Sequence, residues 1–372
     1  MRQRQRRTPP HSGGVSSFAP VTGFFMKKRI FCALLVLAAG ASLLTGCRET
    51  KPPEPVEGTA FAMDTVMRFA LYREAPAFAQ EDLTALTDLL DGLDGALSAT
   101  AEDSDISRVN RSESRPVEVS ERTGDLLSQA LALCEATDGA LDITAYPAVK
   151  AWGFTTGENR IPSSGELAEL AANIDYRAVR LVENTVTLPA GMGLDLGAVA
   201  KGYAGDLLAR LVRAEGVSSA LLDLGQSTIV AVGGKPDGSP WRIGVREPEG
   251  DGYFAVIELT DMALGTSGGY QRYFERDGVT YCHILDPGTA APARSGLSSV
   301  TVVSSSALVC DGLSTALFVM GLEDGAQFWR DHPELNFEAV FMTEDGSVYR
   351  TAGLAESFSI LGSYEEAAVL ER

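Results

Sequence analysis

Histidine, cysteine and basic residues are all scarce in this chain, and each shortage excludes a class of function. The 372 residues include three histidines and five cysteines. Because no C-x-x-C pair and no cluster of histidines is present, a zinc site is not expected. Lys and Arg number 31 against 50 Asp and Glu, a formal net charge of −19. A surface this acidic repels phosphate backbones, so no nucleic acid is expected among its partners.

The N-terminal region holds one apolar run, Ile30–Leu44, which is too short for a comfortable membrane span. Basic residues precede it, and it is followed by Thr-Gly-Cys, ending at Cys47. That order resembles a bacterial lipoprotein signal, in which the cysteine is lipidated and becomes the first residue. We predict that residues 1–25 are untranslated or disordered, that 26–46 are signal peptide, and that 47–58 form a lipid-anchored, proline-rich tether.

Removal of residues 1–46 makes the remaining chain still more acidic. That segment carries seven basic residues and no acids, which leaves 24 Lys and Arg against 50 Asp and Glu, a net charge of −26. Such a surface repels anionic lipid, so we expect membrane attachment through a lipid on Cys47, at the extracytoplasmic face of the cell membrane. An uncleaved anchor helix is the alternative, and it would also leave the domain outside the membrane.

Residues 59–362 alternate predicted helices and strands without an internal linker, and 363–372 are expected to be a C-terminal tail. Hairpin-like strand pairs between helices favour a single α+β domain, with antiparallel sheets and packed helices, over a doubly wound parallel sheet. The main predicted elements are strands at Thr59–Leu71, Thr228–Val232 and Thr280–Leu285, helices at Glu81–Leu97, Ser120–Thr137, Ala198–Glu215 and Ser306–Met320, and a hairpin around Glu183-Asn184.

The stretch DLGAVAKGYA, Asp195–Ala204, has the parts of a phosphate-binding turn. It matches neither the Walker loop nor the dinucleotide-binding glycine pattern. It does offer a tight glycine turn, amide N–H groups at a helix N-terminus, and Lys201 one turn into the helix. The alternative interpretation is a strand-to-helix turn that carries a surface lysine.

Two other segments carry candidate chemical groups. His283 lies at a predicted strand end and is the best placed of the three histidines for a general base, unless it is only a hydrogen-bonded structural residue. Asp311 and Thr315 share one face of an apolar helix. Because a buried carboxylate must be paired or bind a cation, this oxygen pair suits Mg²⁺ or Ca²⁺. A first-turn helix acid stabilised by the helix dipole would explain Asp311 but not Thr315.

These segments belong to a series of motifs that resembles the ApbE family, the FAD:protein FMN transferases, and the resemblance implies an ApbE-like, T-fold-like catalytic domain. The motifs span Ala62–Gly321 in the order of the family. They read AMDTVM, SDISRVN, DGALDIT with AWGF, GLDLGAVAKGYA, LLDLG, WRIGVREP, TSGGYQRYF, HILDP and CDGLSTALFVMG. Two departures are notable, because Asp64 and Gln226 stand where the family commonly has glycine.

The resemblance implies that FAD is bound as substrate with Mg²⁺, and that FMN passes to a Thr or Ser hydroxyl through a phosphodiester bond, with release of AMP. His283 would be the base that accepts the hydroxyl proton. The metal would be held by the Ala198 carbonyl and the side chains of Asp311 and Thr315. The implied contacts to FAD are Met63, Ala140, Leu141, Asp142, Asp195, Lys201 and Leu285.

The implied acceptors are membrane-associated proteins, either electron-transfer subunits or FMN-binding domains. This chain has no acceptor tetrapeptide of its own, which favours action on another protein. Two alternatives stay open: an Mg²⁺-dependent FAD pyrophosphatase that gives FMN and AMP, and a flavin-binding lipoprotein without catalysis. A disulfide between Cys282 and Cys310 is also left open, because spacing does not show proximity.

Overall fold

A nine-stranded sheet forms the centre of the fold. The computed structural model describes residues 54–73, 79–248 and 250–372. The sheet contains β1 (Val56–Ala62), β2 (Thr65–Tyr72), β6 (Ser219–Leu224), β7 (Thr228–Val232), β10 (Ala263–Gly268), β15 (Leu297–Ser304), β16 (Phe337–Thr343), β17 (Val348–Thr351) and β19 (Glu366–Leu370), in that spatial order. Neighbouring strands are antiparallel except for the last pair, β17 and β19.

Four smaller sheets surround it. One contains β3 (Val117–Glu118), β4 (Arg180–Val182) and β5 (Thr185–Thr187), and a second contains β8 (Trp241–Arg246), β9 (Tyr253–Leu259) and β18 (Phe358–Ile360). The hairpin of β11 (Tyr273–Arg276) with β12 (Val279–Cys282) and the short pair of β13 (Leu285–Asp286) with β14 (Ala291–Pro292) complete the set.

Helices cover one face of the large sheet, and the β8-β9-β18 sheet covers the other. The helices are α1 (Ala79–Leu97), α2 (Asp105–Asn110), α3 (Glu121–Ala136), α4 (Tyr146–Trp152), α5 (Ser164–Ala171), α6 (Ala200–Ala214), α7 (Ala307–Met320) and α8 (Leu322–Asp331). Alternation along the strands divides the core in two: Val230 and Val232 of β7 pack with the helices, whereas Ala231 packs with Trp241 and Phe254 on the opposite face.

The α+β prediction is confirmed, and most of the predicted helices and strands form. The long helix predicted at Ser120–Thr137 occupies Glu121–Ala136, with Ser120 as its N-cap. The single strand predicted at Thr59–Leu71 is wrong, because Met63 and Asp64 adopt left-handed backbone conformations and turn the chain into the β1-β2 hairpin. The large sheet also extends past both ends of 59–362, from Val56 to Leu370.

Several predictions concern residues that the structure does not describe. The signal peptide, Cys47 and most of the tether lie outside the described residues. Within the described part of the chain, no helix is long and apolar enough to cross a membrane. The disulfide that was left open does not form, because Cys282 and Cys310 are both buried free thiols.

Candidate active site

Helix α7 carries Asp311 and Thr315, and its first turn is fixed from outside the helix. Ser306 caps it by accepting from the Val309 N–H at 3.3 Å. Asp206 of helix α6 accepts from the Ala307 N–H at 2.7 Å and the Leu308 N–H at 3.2 Å. A carboxylate at a helix N-terminus satisfies free N–H groups and opposes the helix dipole. The position of α7 is therefore tied to α6, which also carries Lys201.

Two glycines let backbone approach α7 where Asp311 lies. A Cβ atom on Gly202 of α6 would sit 2.3 Å from the Ala307 carbonyl oxygen. A Cβ atom on Gly265 of β10 would sit 2.6 Å from the Cys310 carbonyl carbon. Real side chains do not tolerate such distances to backbone atoms, so these positions require glycine. The result is that α7 is clamped between α6 and the sheet.

Asp311 is 5% exposed and both of its carboxylate oxygens are hydrogen-bonded. Oδ2 accepts from the Gly202 N–H at 2.9 Å, and Oδ1 accepts from the Thr228 hydroxyl at 3.0 Å. The Lys201 Nζ lies 3.8 Å from Oδ2. Burial raises the pKa of this carboxyl, although Lys201 and the two hydrogen bonds oppose the change. Asp311 is thus a buried carboxylate with one nearby cation, and each of its oxygens keeps a lone pair that could bind a metal ion.

A backbone oxygen next to Asp311 is also free. Gly202 lies in the first turn of α6, where N–H groups have no acceptor within the helix, and its N–H donates to Asp311. Ala198 precedes the helix, and no described group donates to its carbonyl. A carboxylate, a hydroxyl and a free carbonyl are hard oxygen donors of the kind that Mg²⁺ prefers. These residues therefore fit the implied metal, and no cluster of three His, Cys, Asp or Glu competes with them among the described residues.

The Thr315 hydroxyl belongs to a buried network of hydroxyl groups. Its Oγ1 lies 3.0 Å from the Ser267 Oγ of β10 and 3.4 Å from the Asp311 carbonyl oxygen. The Ser267 Oγ also lies 2.8 Å from the Ser314 Oγ. Ser314 in turn donates to the Asp311 carbonyl at 3.0 Å.

His283 stands at the base of the β11-β12 hairpin, where the strand predicted over Thr280–Leu285 is interrupted. Its backbone N–H donates to the Arg272 carbonyl at 3.0 Å, and its Nδ1 lies 3.1 Å from the same oxygen. Because a carbonyl only accepts, Nδ1 carries the proton and Nε2 keeps its lone pair. Burial, with the positive charges of Arg272 and Lys201, lowers the pKa of His283 to about 4. The imidazole is therefore neutral at physiological pH.

A small aromatic cluster, separate from the main core, holds this hairpin. Phe274 and Tyr281 stack across the two strands with ring centroids 5.1 Å apart, and Tyr281 packs on Trp152 at 5.5 Å. The Trp152 indole N–H donates to the Ala290 carbonyl at 2.8 Å. Leu285, 8% exposed, completes the cluster with its side chain. The position of His283 thus depends on α4 and the β13-β14 pair.

The predicted FAD contacts Asp195 and Ala140–Asp142 lie side by side. The Asp195 N–H donates to the Ile143 carbonyl at 2.8 Å, and Leu141 packs against Gly312 of α7. Burial raises the pKa of Asp195, against the opposing effects of the Gly197 N–H and the charge of Arg272. This turn leads directly into the start of α6, and the charge of Arg272 acts on its first residue, Asp195.

Asp142 and Met63, two further predicted FAD contacts, are each held by structural hydrogen bonds. Asp142 Oδ1 accepts from the Thr144 N–H at 2.8 Å, and Oδ2 accepts from the Tyr176 N–H at 2.8 Å. Burial raises the pKa of Asp142 despite these bonds. The Met63 N–H donates to Asp94 Oδ1 at 3.0 Å, which fixes the β1-β2 turn. Asp142 thus shapes its loop, and the N–H groups of Ala140 and Leu141 before it are likewise taken, by the carbonyl and the hydroxyl of Thr137.

Three residues of the site were not predicted from the sequence: Thr228, Ser267 and Arg272. Thr228 and Ser267 are hydrogen-bonded to Asp311 and Thr315, the predicted metal ligands, which lie 83 and 48 positions away in sequence. The charge of Arg272 acts on both Asp195 and His283. Ser267 and Arg272 both lie in the motif TSGGYQRYF, but only the folded structure shows which residues they contact.

Comparisons with known proteins agree on one family. The ApbE family model matches residues 63–341. The FAD:protein FMN transferase of Vibrio cholerae is 35% identical over 300 residues, which cover 78% of this chain and 88% of that protein. The enzyme of the same name from Treponema pallidum is 34% identical over 83% of this chain and 89% of its own length.

Solved structures give the same result. The ApbE protein of Thermotoga maritima superposes with a TM-score of 0.76 at 33% identity, over 81% of this chain and 98% of that one. The flavin transferase ApbE of Vibrio cholerae superposes with a TM-score of 0.74 at 30% identity, over 82% and 100% of the two chains.

Proposed function

This chain belongs to the ApbE family, and on that premise we propose that it transfers the FMN moiety of FAD to a Thr or Ser hydroxyl of another protein and releases AMP. One observation above all supports the proposal: Lys201 links the two halves of the site. Its Nζ lies 3.8 Å from Asp311 Oδ2, and its charge adds to the effects of burial and of Arg272 in lowering the pKa of His283. This supports a site in which the proposed base, one cation and the proposed metal-binding oxygens lie near one another.

The pyrophosphate of FAD would lie between the Asp195–Lys201 turn and the Arg272 side chain. Amide N–H groups at the start of α6 and two cations suit its negative charges. The Ala198 carbonyl, Asp311 and Thr315 would hold Mg²⁺. When bound, that ion supplies neutralisation of charge on the phosphate oxygens.

His283 would act on the acceptor hydroxyl. Its unprotonated Nε2 takes the hydroxyl proton as the hydroxyl oxygen forms a bond to the FMN phosphorus. The bond from that phosphorus to the bridging oxygen breaks, and the bridging oxygen leaves with the electron pair as part of AMP. Bound phosphates would offset the charges of Lys201 and Arg272, which raises the pKa of His283 toward its ordinary value and strengthens it as a base.

The location and partners follow from the sequence. We place the enzyme on the extracytoplasmic face of the cell membrane, held by lipid on Cys47. Its acceptors would be membrane-associated electron-transfer subunits or FMN-binding domains. Confinement of both proteins to one surface raises their effective concentration.

The test is a transfer assay with the full-length chain in detergent, FAD, Mg²⁺ and a purified FMN-binding acceptor domain. Intact mass spectra of the acceptor and an AMP assay are the readouts. We expect a covalent FMN adduct that is lost with EDTA, with Asp311→Asn and with His283→Ala. Tyr273→Phe, on the exposed side of the same hairpin, is the matched control and should keep activity.

Other outcomes separate the two alternatives. AMP and free FMN without an adduct, across several acceptor domains, would make the protein an FAD pyrophosphatase. Binding of FAD without AMP would make it a flavin-binding lipoprotein and would refute the catalytic assignment. Turnover that persists in Asp311→Asn would refute the assignment of the metal site.

A further inference from the structure

The hydroxyl network beside Thr315 has only one hydrogen for each oxygen, and the Asp311 carbonyl can only accept. We assign the direction of the network by giving that carbonyl the nearer of its two hydroxyl donors, Ser314 at 3.0 Å and not Thr315 at 3.4 Å. Ser314 donates to the Asp311 carbonyl at 3.0 Å, which uses its single hydrogen. The 2.8 Å contact between Ser267 and Ser314 then requires Ser267 to donate and Ser314 to accept. That uses the only hydrogen of Ser267.

The same count fixes the Thr315 hydroxyl. Because Ser267 has no hydrogen left, its 3.0 Å contact with Thr315 requires Thr315 to donate. The other acceptor near Thr315, the Asp311 carbonyl, is farther away at 3.4 Å and already accepts from Ser314. Ser267 and Ser314 are 9% and 0% exposed, so water does not readily replace either partner.

We infer that Ser267 is a positioning residue for the cation site: it accepts the Thr315 hydrogen and so turns the lone pairs of Thr315 toward the metal. A hydroxyl that ligates a cation must present oxygen and not hydrogen. Partners that orient a metal ligand in this way typically change metal affinity about 10- to 100-fold when removed. This inference rests on the proposed function, because it assumes that Thr315 ligates the metal.

The strand geometry explains why Ser267 reaches Thr315 and its neighbour Thr266 does not. Gly265 brings β10 against α7, and two residues later Ser267 faces the same helix. Thr266 points to the other side of the strand, where its hydroxyl lies 2.9 Å from that of Thr301. Thr266→Ala therefore removes a hydroxyl from the same strand without touching the network, and it is the matched control.

The experiment titrates Mn²⁺ into the full-length chain with FAD present and follows free Mn²⁺ by electron paramagnetic resonance. FAD binding without metal is measured by flavin fluorescence. We expect Ser267→Ala to weaken Mn²⁺ binding about tenfold and to leave metal-free FAD binding unchanged. Ser314→Ala should weaken Mn²⁺ binding in the same direction, because Ser267 is then free to donate to Thr315. The double variant should be no weaker than Ser267→Ala alone, and Thr266→Ala should bind as wild type.

Wild-type Mn²⁺ affinity in Ser267→Ala would overturn the inference, as would additive losses in the double variant. A wild-type chain that binds neither FAD nor Mn²⁺ would instead refute the proposed function. Equal losses in Ser267→Ala and Thr266→Ala would show a general weakening of β10 and would also overturn the inference.

Discussion

Replacement of Gly202 by alanine tests whether close packing between α6 and α7 outweighs the higher helix propensity of alanine. Alanine normally stabilises a helix interior by about 0.5–1 kcal/mol relative to glycine. At Gly202, however, the new Cβ would lie 2.3 Å from the Ala307 carbonyl oxygen and 2.7 Å from the Leu308 Cα. All of these contacts are backbone, so no side chain can rotate away, and α6 and α7 must move apart by about 1 Å. Overpacking of this kind costs about 2–3 kcal/mol.

The same displacement of α6 relative to α7 should also lower the rate of FMN transfer. The Gly202 N–H holds Asp311 Oδ2 at 2.9 Å, and a misplacement of about 1 Å typically costs about 100-fold in rate. We therefore expect Gly202→Ala to lower both the Tm in scanning calorimetry and kcat/KM in the transfer assay. Gly92→Ala in α1 is the matched control, because no atom lies within 4 Å of its Cβ position. It should raise Tm by about 2 °C and leave activity unchanged. A Gly202→Ala protein as stable and active as Gly92→Ala would refute the packing argument.

Three further expectations concern Asp311, Asp206 and His283. Asp311→Asn should abolish turnover yet leave the unfolding free energy in urea with EDTA within about 1 kcal/mol of wild type, because burial raises the pKa of that carboxyl and disfavours its charge, and relief of this cost offsets the one acceptor oxygen that Asn lacks; a much less stable variant would contradict this. Asp206→Ala should lose about 2–3 kcal/mol in the same urea assay, because three hydrogen bonds at the start of α7 disappear. The pKa of His283 lies at about 4 in the folded chain, below its ordinary 6.5, so the unfolded chain binds the proton first as pH falls. Wild type should therefore lose more stability than His283→Asn between pH 7 and pH 5, and equal losses would show that the imidazole titrates normally.

Local sequence patterns predicted the regular elements well. The strand Thr228–Val232 forms with the predicted bounds, and α7 follows directly after Ser306, its expected start. Strand β10 was not predicted, because its sequence ALGTSG contains two glycines, which weaken a strand pattern. Its Gly265 is there because α7 passes close to the backbone, and no local pattern contains that information.

The residues of the candidate site likewise fall into those that the local sequence singles out and those that only the folded structure reveals. Asp311, Thr315 and His283 could be singled out because a buried acid, a paired hydroxyl and a rare histidine are unusual in their own segments. Thr228 and Ser267 are ordinary strand residues by sequence, and their roles come from elements that meet only in the folded chain. The role of Asp142 likewise needed the structure, because its carboxylate oxygens are taken by backbone N–H groups.

The separate aromatic cluster under His283 has a consequence for heat inactivation. The oxygens of Asp311 and Thr315 rest on the large core, whereas the hairpin of His283 rests on Trp152, Phe274 and Tyr281. A cluster of a few rings loosens at a lower temperature than a core that spans most of the sheet. Warming should therefore displace the base and its neighbour Arg272 first, so that the enzyme passes through a reversible state that transfers nothing while the oxygens of Asp311 and Thr315 are still in place.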